Sequence, residues 1–148
     1  MNYPKSVAIA SDHAGVEYKT ELIQFLEAKG ISIENFGTNT TDSCDYPDYG
    51  HPLAASVDSG KHPLGIIICG SGNGVCMTVN KHQNVRGALS WNEDITRLAR
   101  QHNDANVLCL PARFISIEEA KSLTDIFLTT EFEGGRHQRR VNKISIHS

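Results

Sequence analysis

The segment of this 148-residue chain best equipped for chemistry is a cysteine followed at once by a glycine-rich loop. Glycines allow several backbone N–H groups to point at one anionic oxygen, and a helix that starts after the loop adds its positive dipole end. Val75 occupies the last glycine position of a dinucleotide fingerprint, and no lysine has the spacing of a P-loop. The loop therefore predicts a cradle for a small anion, or for one that develops during a reaction; its residues are Cys69, Gly70, Ser71, Gly72, Asn73 and Gly74.

Cys69 itself has two interpretations. N–H groups beside a thiol favour the thiolate, which can act as a base or a nucleophile. Free cysteine is also among the most frequently buried residue types, so a core role stays open for Cys69. Cys76 and Cys109 lie among apolar residues and are predicted to be core.

Two further segments place ionisable side chains beside predicted strand ends. Asp12 and His13 follow the first strand and could bind a polar ligand or carry a proton, although Asp12 could equally cap the next helix. His102 and Asn103 precede the fifth strand. His102 could be a general acid or base and Asn103 a substrate ligand, or Asn103 could end a helix with His102 on its dipole.

Arginines supply the remaining candidates. Arg113 directly follows the fifth strand, and Arg136 and Arg140 are spaced to share one face if their segment is helical. Two guanidinium groups that converge on one point suit a phosphate. A solvated basic segment is the alternative. Nucleic-acid binding is disfavoured because the net charge of the chain is −3.

The elements that must position these side chains follow from hydrophobic periodicity. Short apolar runs predict strands at 7–10, 31–36, 64–69, 85–89 and 107–110. Helical periodicity predicts a helix that ends at Gly30, helices over 47–59 and 92–101, and one that starts near Val75. Ser116 and Glu119 form a capping box for another, and the basic segment 133–148 is predicted to hold one more.

Strands that alternate with helices predict a single-domain α/β fold over residues 1–148: a three-layer sandwich with a five-stranded parallel, Rossmann-like sheet and helices on both faces. In such sheets ligands bind beyond the carboxyl ends of the strands, near the point where the strand order reverses. The loops expected to line a ligand site are therefore those after Ala10, Phe36, Cys69, Leu89 and Leu110.

Composition narrows the functional class. The longest apolar run is far shorter than the ~20 residues that a membrane helix needs, and the first ten residues lack the pattern of a secretory signal. The four cysteines show neither a CxxC motif nor zinc-ligand spacing. We therefore expect a cytoplasmic protein with reduced thiols and no membrane association.

Five motifs in order carry a resemblance to a known family: Ser-Asp-His-Ala-Gly after the first strand, Asp-Tyr-Pro around Tyr46, Cys-Gly-Ser-Gly-Asn-Gly, Arg-Gln-His-Asn-Asp, and Glu-Gly-Gly-Arg-His. Together they make the chain closely similar, over about residues 7–141, to the family that contains ribose-5-phosphate isomerase B and the galactose-6-phosphate isomerase subunits. One departure is Ser71, where many members have threonine.

The resemblance implies an aldose–ketose isomerase that interconverts ribose 5-phosphate and ribulose 5-phosphate without a metal or organic cofactor. It implies that Cys69 is the base that moves the proton through an enediolate, and that Gly70–Gly74 hold the enediolate oxygens. His102 would assist ring opening, with Asp12 and Tyr46 close to the sugar and Asn103 as a substrate ligand. His13, Arg113, Arg136 and Arg140 would surround the phosphate or the sugar chain.

The family builds its site between two subunits, so we expect a homodimer, with a dimer of dimers left open. Three alternatives remain from the sequence. The first is an isomerase of a six-carbon phosphosugar, allose 6-phosphate or galactose 6-phosphate. The others are a non-catalytic phosphosugar-binding module and a nucleic-acid-binding protein that uses the basic segment.

Overall fold

The computed structural model describes residues 2–146 and is organised around one parallel sheet. Its strand order is β2-β1-β3-β5-β4, and all neighbouring pairs are parallel. The five strands are β1 (Ser6–Ser11), β2 (Ser32–Asn35), β3 (Gly65–Cys69), β4 (Gly87–Leu89) and β5 (Val107–Pro111). The three central strands, β1, β3 and β5, are almost entirely buried, as expected for a sheet covered on both faces.

Helices cover both faces of the sheet. The helices are α1 (Val16–Glu27), α2 (Pro47–Asp58), α3 (Asn73–Val79), α4 (Glu93–Asn103), α5 (Ile117–Thr129) and α6 (Arg136–Val141), and a 3-10 turn (His13–Gly15) precedes α1. One core joins alternate residues of β1, such as Ile9, to Leu22 of α1 and Phe127 of α5. The other joins Ala10 to Leu53 of α2. The predicted three-layer α/β fold is thus confirmed, and α6 packs outside it against α4.

All five predicted strands are present, but three are shorter than predicted. The strand predicted at 64–69 lacks only its first residue. The strand predicted at 85–89 begins only at Gly87. The backbone N–H of Arg86 instead donates to the side chain of Asn106, and the Arg86 carbonyl accepts from the backbone of the loop before β5. The strand predicted at 31–36 is reduced to β2.

The helix predicted over 92–101 extends two residues further, which places His102 and Asn103 in its last turn. Asn92 caps its start by accepting a hydrogen bond from the N–H of Ile95, and Asp104 ends it in the left-handed conformation at φ 47°. The residue that ends the helix in the left-handed conformation is therefore Asp104 and not Asn103.

The basic segment predicted over 133–148 contains the predicted further helix, α6. Residues 147 and 148 of that prediction lie outside the described residues. None of the helices within residues 2–146 is both long and apolar enough to cross a membrane.

Candidate active site

The strand order reverses between β1 and β3. The chain leaves β1 toward β2 on one side, and β3 is followed by strands on the other, so the loops after β1 and β3 diverge and open a cleft. The cleft measures about 550 Å³. Its lining brings together eight of the predicted site residues with two others: Asp12, His13, Ala14, Tyr46, Cys69, Gly70, Ser71, Gly74, Arg113 and Phe114.

Cys69 ends β3, and its side chain lies at the base of this cleft. The residue is 6% exposed, and the backbone N–H of Gly72 donates to its Sγ at 3.1 Å. Gly72 can turn the loop back in this way because it adopts φ 75°, a conformation that L side chains rarely reach. The sulfur is therefore held at the cleft by a main-chain donor, in the loop that leads into α3.

Tyr46, at the start of α2, forms one wall of the cleft. Its ring lies so close to Gly74 that a β-carbon there would sit 2.6 Å from Tyr46 Cζ. Arg113 closes another side: its backbone N–H donates to the carbonyl of Gly70 at 3.0 Å, and its guanidinium lies over that glycine. At both glycines a β-carbon would crowd a neighbouring side chain, Tyr46 at Gly74 and Arg113 at Gly70.

Asp12 and His13 are fixed by hydrogen bonds within the cleft wall. Asp12 Oδ1 accepts from the N–H of Ala14 at 2.9 Å, so the capping interpretation holds while the residue also lines the cleft. His13 Nδ1 accepts from the backbone N–H of Cys44 at 3.3 Å. From this bond we assign the hydrogen of the neutral ring to Nε2.

A buried lysine supports the loop that leads to Tyr46. Lys19 is 1% exposed, and its ammonium donates to the side-chain oxygens of Asn35 and Asn39 at 2.9 and 2.8 Å. Burial lowers the pKa of Lys19. The sequence contained a signal for this residue, because Lys19 occupies the apolar stripe of α1 with Leu22 and Leu26.

Six predicted site residues are absent from this lining. Gly72 and Asn73 belong to the glycine-rich loop itself, and the other four are His102, Asn103, Arg136 and Arg140. His102 and Asn103 lie in the last turn of α4. Arg136 and Arg140 are exposed on α6, which packs against α4. The predicted candidates therefore form two groups, one in the cleft and one at the α4–α6 corner, which we define as His102, Asn103 and residues 133–140.

The α4–α6 corner also contains two residues to which the sequence had assigned no role. The ring of His137 stacks on His102, with centroids 4.2 Å apart and planes inclined by 12°. Glu133 Oε1 lies 3.8 Å from His102 Nε2 and 3.5 Å from His137 Nε2. Burial lowers the pKa of His137, and the nearby His102 and Arg136 lower it further. Both residues belong to the Glu-Gly-Gly-Arg-His motif, which was the available signal.

These three residues offer donor atoms within 4.8 Å of one another, as a metal site would. Nearly parallel stacked rings, however, direct their nitrogen lone pairs along parallel planes rather than toward one ion. Tetrahedral zinc requires converging ligands. The side chains of His102, His137 and Glu133 would have to rearrange before they could hold a metal.

Large apolar side chains remain exposed around both groups. Leu98 is 42% exposed and precedes His102 by one helical turn on the same face of α4. Leu98 and Asn103 line one groove together with Ile144. Phe114 at the cleft is 74% exposed, and Trp91 is 51% exposed. Exposed apolar residues that share a groove, as Leu98 and Ile144 do, are typical of a surface that another molecule covers.

Comparison with known proteins yields one consistent set of relatives. The model of a family described as Ribose/Galactose Isomerase matches residues 7–144. A probable ribose-5-phosphate isomerase B of Mycoplasma pneumoniae is 46% identical over 97% of this chain and 94% of its own length. Ribose-5-phosphate isomerase B of Escherichia coli is 37% identical over 95% of each chain. The structure of ribose-5-phosphate isomerase B from Mycoplasma genitalium with bound ribulose 5-phosphate is 44% identical, superposes with a TM-score of 0.91, and aligns over 94% of this chain and 93% of its own.

Proposed function

The chain belongs to the ribose/galactose isomerase family, and on that premise we propose that it interconverts D-ribose 5-phosphate and D-ribulose 5-phosphate. The observation that carries the proposal is the similarity, over almost the whole chain, to an isomerase structure that holds ribulose 5-phosphate. The cleft between β1 and β3 brings together Cys69, part of the glycine-rich loop and Arg113. These are our candidates for the base, the main-chain donors and the cationic group that the reaction requires.

In the open-chain aldose, a base removes the proton on C2, and the electron pair forms the C1–C2 double bond of an enediolate. Return of the proton to C1, together with transfer of the hydroxyl proton from O2 to O1, gives the ketose, so no electrons leave or enter the molecule. We assign the base to the Cys69 sulfur, which lies at the cleft and accepts the N–H of Gly72 at 3.1 Å. The loop of Gly70, Ser71, Gly72, Asn73 and Gly74 then donates N–H groups to the enediolate oxygens.

Binding is divided between the two groups of residues. Asp12 and Tyr46 line the cleft where the sugar chain would lie. His13 and Arg113 present an imidazole and a guanidinium to the phosphate or to the hydroxyl groups next to it. At the α4–α6 corner, Arg136 and Arg140 serve as further phosphate ligands and Asn103 as a sugar ligand, with His102 as the acid–base group for ring opening.

The corner of one subunit acts in the cleft of another. This assembly is supported by the absence of His102 from the lining of the cleft in its own chain and by the exposed Leu98 one turn before it. A second copy that covers Leu98 would bring His102 toward the Cys69 of its partner. We propose a homodimer as the smallest active unit, acting on phosphosugars without a metal or organic cofactor.

The experiment that tests this proposal compares wild type with Cys69→Ala in EDTA. Two reactions are measured: formation of ribulose 5-phosphate from ribose 5-phosphate, and uptake of solvent deuterium at C1 of ribulose 5-phosphate, which is an open-chain ketose. Loss of the general base lowers both rates by roughly 10²- to 10⁴-fold. Cys76→Ala is the matched control because Cys76 lies on α3 outside the cleft lining, and it retains both rates.

Allose 6-phosphate and galactose 6-phosphate are assayed in parallel. Faster turnover of a six-carbon sugar would replace the proposed substrate while leaving the mechanism intact. If Cys69→Ala keeps the wild-type rate, Cys69 is not the base. If wild type binds ribose 5-phosphate without turnover and Cys69→Ala binds it equally well, the protein is a binding module instead.

A further inference from the structure

Glu133 has no part in the function proposed above, yet it lies at the point where two histidines meet. Its Oε1 is 3.5 Å from His137 Nε2 and 3.8 Å from His102 Nε2. The two imidazole rings are stacked with their centroids 4.2 Å apart. One carboxylate oxygen therefore faces an Nε2 atom of each of two adjacent rings.

The main chain, rather than a flexible side chain, places Glu133 there. Its backbone N–H donates to the carbonyl of Gln101 at 3.0 Å, directly beside His102. Gly134 and Gly135 follow at φ 69° and 56° and turn the chain into α6. This turn returns His137 to the same point, where its N–H donates to the carbonyl of Gly134 at 3.1 Å. Two consecutive positive φ angles are accessible here because both residues are glycine.

The charges at the corner explain why a carboxylate is needed. Two stacked imidazoles repel each other if both are protonated, so the pair favours a single proton. Arg136 and Arg140 of α6 add positive charge next to His137, and these groups and burial all lower the pKa of His137. Glu133 acts in the opposite direction and raises the pKa of His137. The carboxylate thus opposes the effect of the arginines on the proton of His137.

We propose that Glu133 is a positioning residue that holds His102 and His137 as a stacked pair with one proton, and that the pair performs ring opening as a unit. The proposal rests on the function assigned above. In the step, the protonated ring donates to the ring oxygen as the C1–O bond breaks. The neutral ring accepts the proton of the anomeric hydroxyl as C1=O forms. The pair ends with the same single proton that it had at the start.

Glu133→Gln tests this, because it keeps the size of the side chain and removes its charge. Ring opening is needed for ribose 5-phosphate but not for deuterium uptake at C1 of ribulose 5-phosphate. We expect kcat for ribose 5-phosphate to fall by about tenfold with KM little changed, and C1 exchange to stay within about twofold of wild type. Because the carboxylate raises the pKa of His137, the alkaline decline of kcat moves to lower pH.

Two further variants complete the design. Glu133→Asp retains the charge and should keep the alkaline limb near that of wild type. Glu131→Gln removes a charge two residues away on the exposed side of the same segment and leaves both reactions unchanged. NMR titration of the imidazole of His137 in wild type and Glu133→Gln gives a readout that needs no substrate, and its midpoint is expected to fall in the variant.

Several outcomes would overturn the proposal. Wild-type kcat and an unmoved pH profile in Glu133→Gln would show that the carboxylate does not act on the pair. Equal losses in isomerisation and in C1 exchange would show that it acts through the fold or through binding. A His137 midpoint that does not move would remove the electrostatic basis. If that midpoint moves but wild type catalyses neither reaction, the function assigned to the cleft fails while the positioning of the pair stands.

Discussion

Gly74→Ala should separate the function of the cleft from the stability of the fold. A β-carbon at this position would lie 2.6 Å from Tyr46 Cζ and 2.7 Å from Cε1, whereas carbon atoms in contact are ~3.6 Å apart. The Tyr46 ring must therefore move by about 1 Å. It can move outward because the residue is 40% exposed and belongs to the surface of the cleft.

The expected magnitudes follow from this displacement. Alanine favours a helix over glycine by up to ~1 kcal/mol, and Gly74 lies within α3, so the free energy of unfolding should change by less than about 1 kcal/mol. The melting temperature should stay within about 3 °C of wild type. A misplacement of about 1 Å at an active site can cost about a hundredfold in rate, which corresponds to ~2.7 kcal/mol of transition-state stabilisation. We therefore expect kcat/KM to fall by about that factor.

The assay is ribose 5-phosphate isomerisation combined with thermal unfolding. Gly15→Ala is the contrasting variant: its β-carbon would meet the backbone oxygen of Ile68 at 2.8 Å, inside β3, where nothing can move. That variant should lose about 1–3 kcal/mol of stability, as overpacked cores do. In a Tyr46→Ala background, Gly74→Ala should have no further effect on kcat/KM, because the contact is already gone. A folded Gly74→Ala with wild-type kcat/KM would refute the reasoning.

Three further predictions concern the corner, the assembly and the acid stability of the fold. Arg136→Ala and Arg140→Ala should weaken the binding of phosphorylated sugars by about tenfold or more while changing the binding of free sugars little, as calorimetry would show. Leu98→Glu should yield a monomer in light scattering and reduce isomerase activity with it. Hydrogen bonding to His62 lowers the pKa of Glu34, so this carboxylate contributes stability above its ordinary pKa of about 4.3 that is lost as pH falls through the folded value. Glu34→Gln should therefore flatten the acid dependence of the urea midpoint between about pH 5 and pH 3.

Each of these three predictions has a control variant or a result that would contradict it. Arg139→Ala removes a neighbouring exposed charge of α6 and should leave phosphosugar affinity unchanged; equal losses for phosphorylated and free sugars in the other two arginine variants would contradict their role. A Leu98→Glu monomer with full activity would show that one chain contains the whole site. An unchanged acid slope in Glu34→Gln would mean that its 2.6 Å contact with His62 carries no linkage to folding.

The sequence determined the strands, the layers and the loops that carry the chemistry. Periodicity is a local property, so the apolar runs fixed β1, β3 and β5, and the glycine-rich loop identified Cys69 as the start of an anion cradle. Periodicity did not give the bounds of short elements such as β4, where the N–H of Arg86 donates to the side chain of Asn106 instead of to a neighbouring strand. Such bonds depend on partners 20 residues apart, and no local pattern encodes them.

Only the tertiary structure shows that the candidate site residues lie in two groups, one in the cleft and one at the α4–α6 corner. The resemblance assigned all fourteen to one site shared between two subunits, and only the strand order β2-β1-β3-β5-β4 shows which loops of one chain meet. The loops after β1 and β3 diverge at the reversal and bring Asp12 and Cys69 into one cleft, whereas His102 lies at the end of α4 in a separate corner. The stack of His137 on His102 and their shared carboxylate, Glu133, likewise depend on the packing of α6 against α4. Residues distant in sequence become neighbours only through the order in which the strands assemble, and that order is a property of the whole chain.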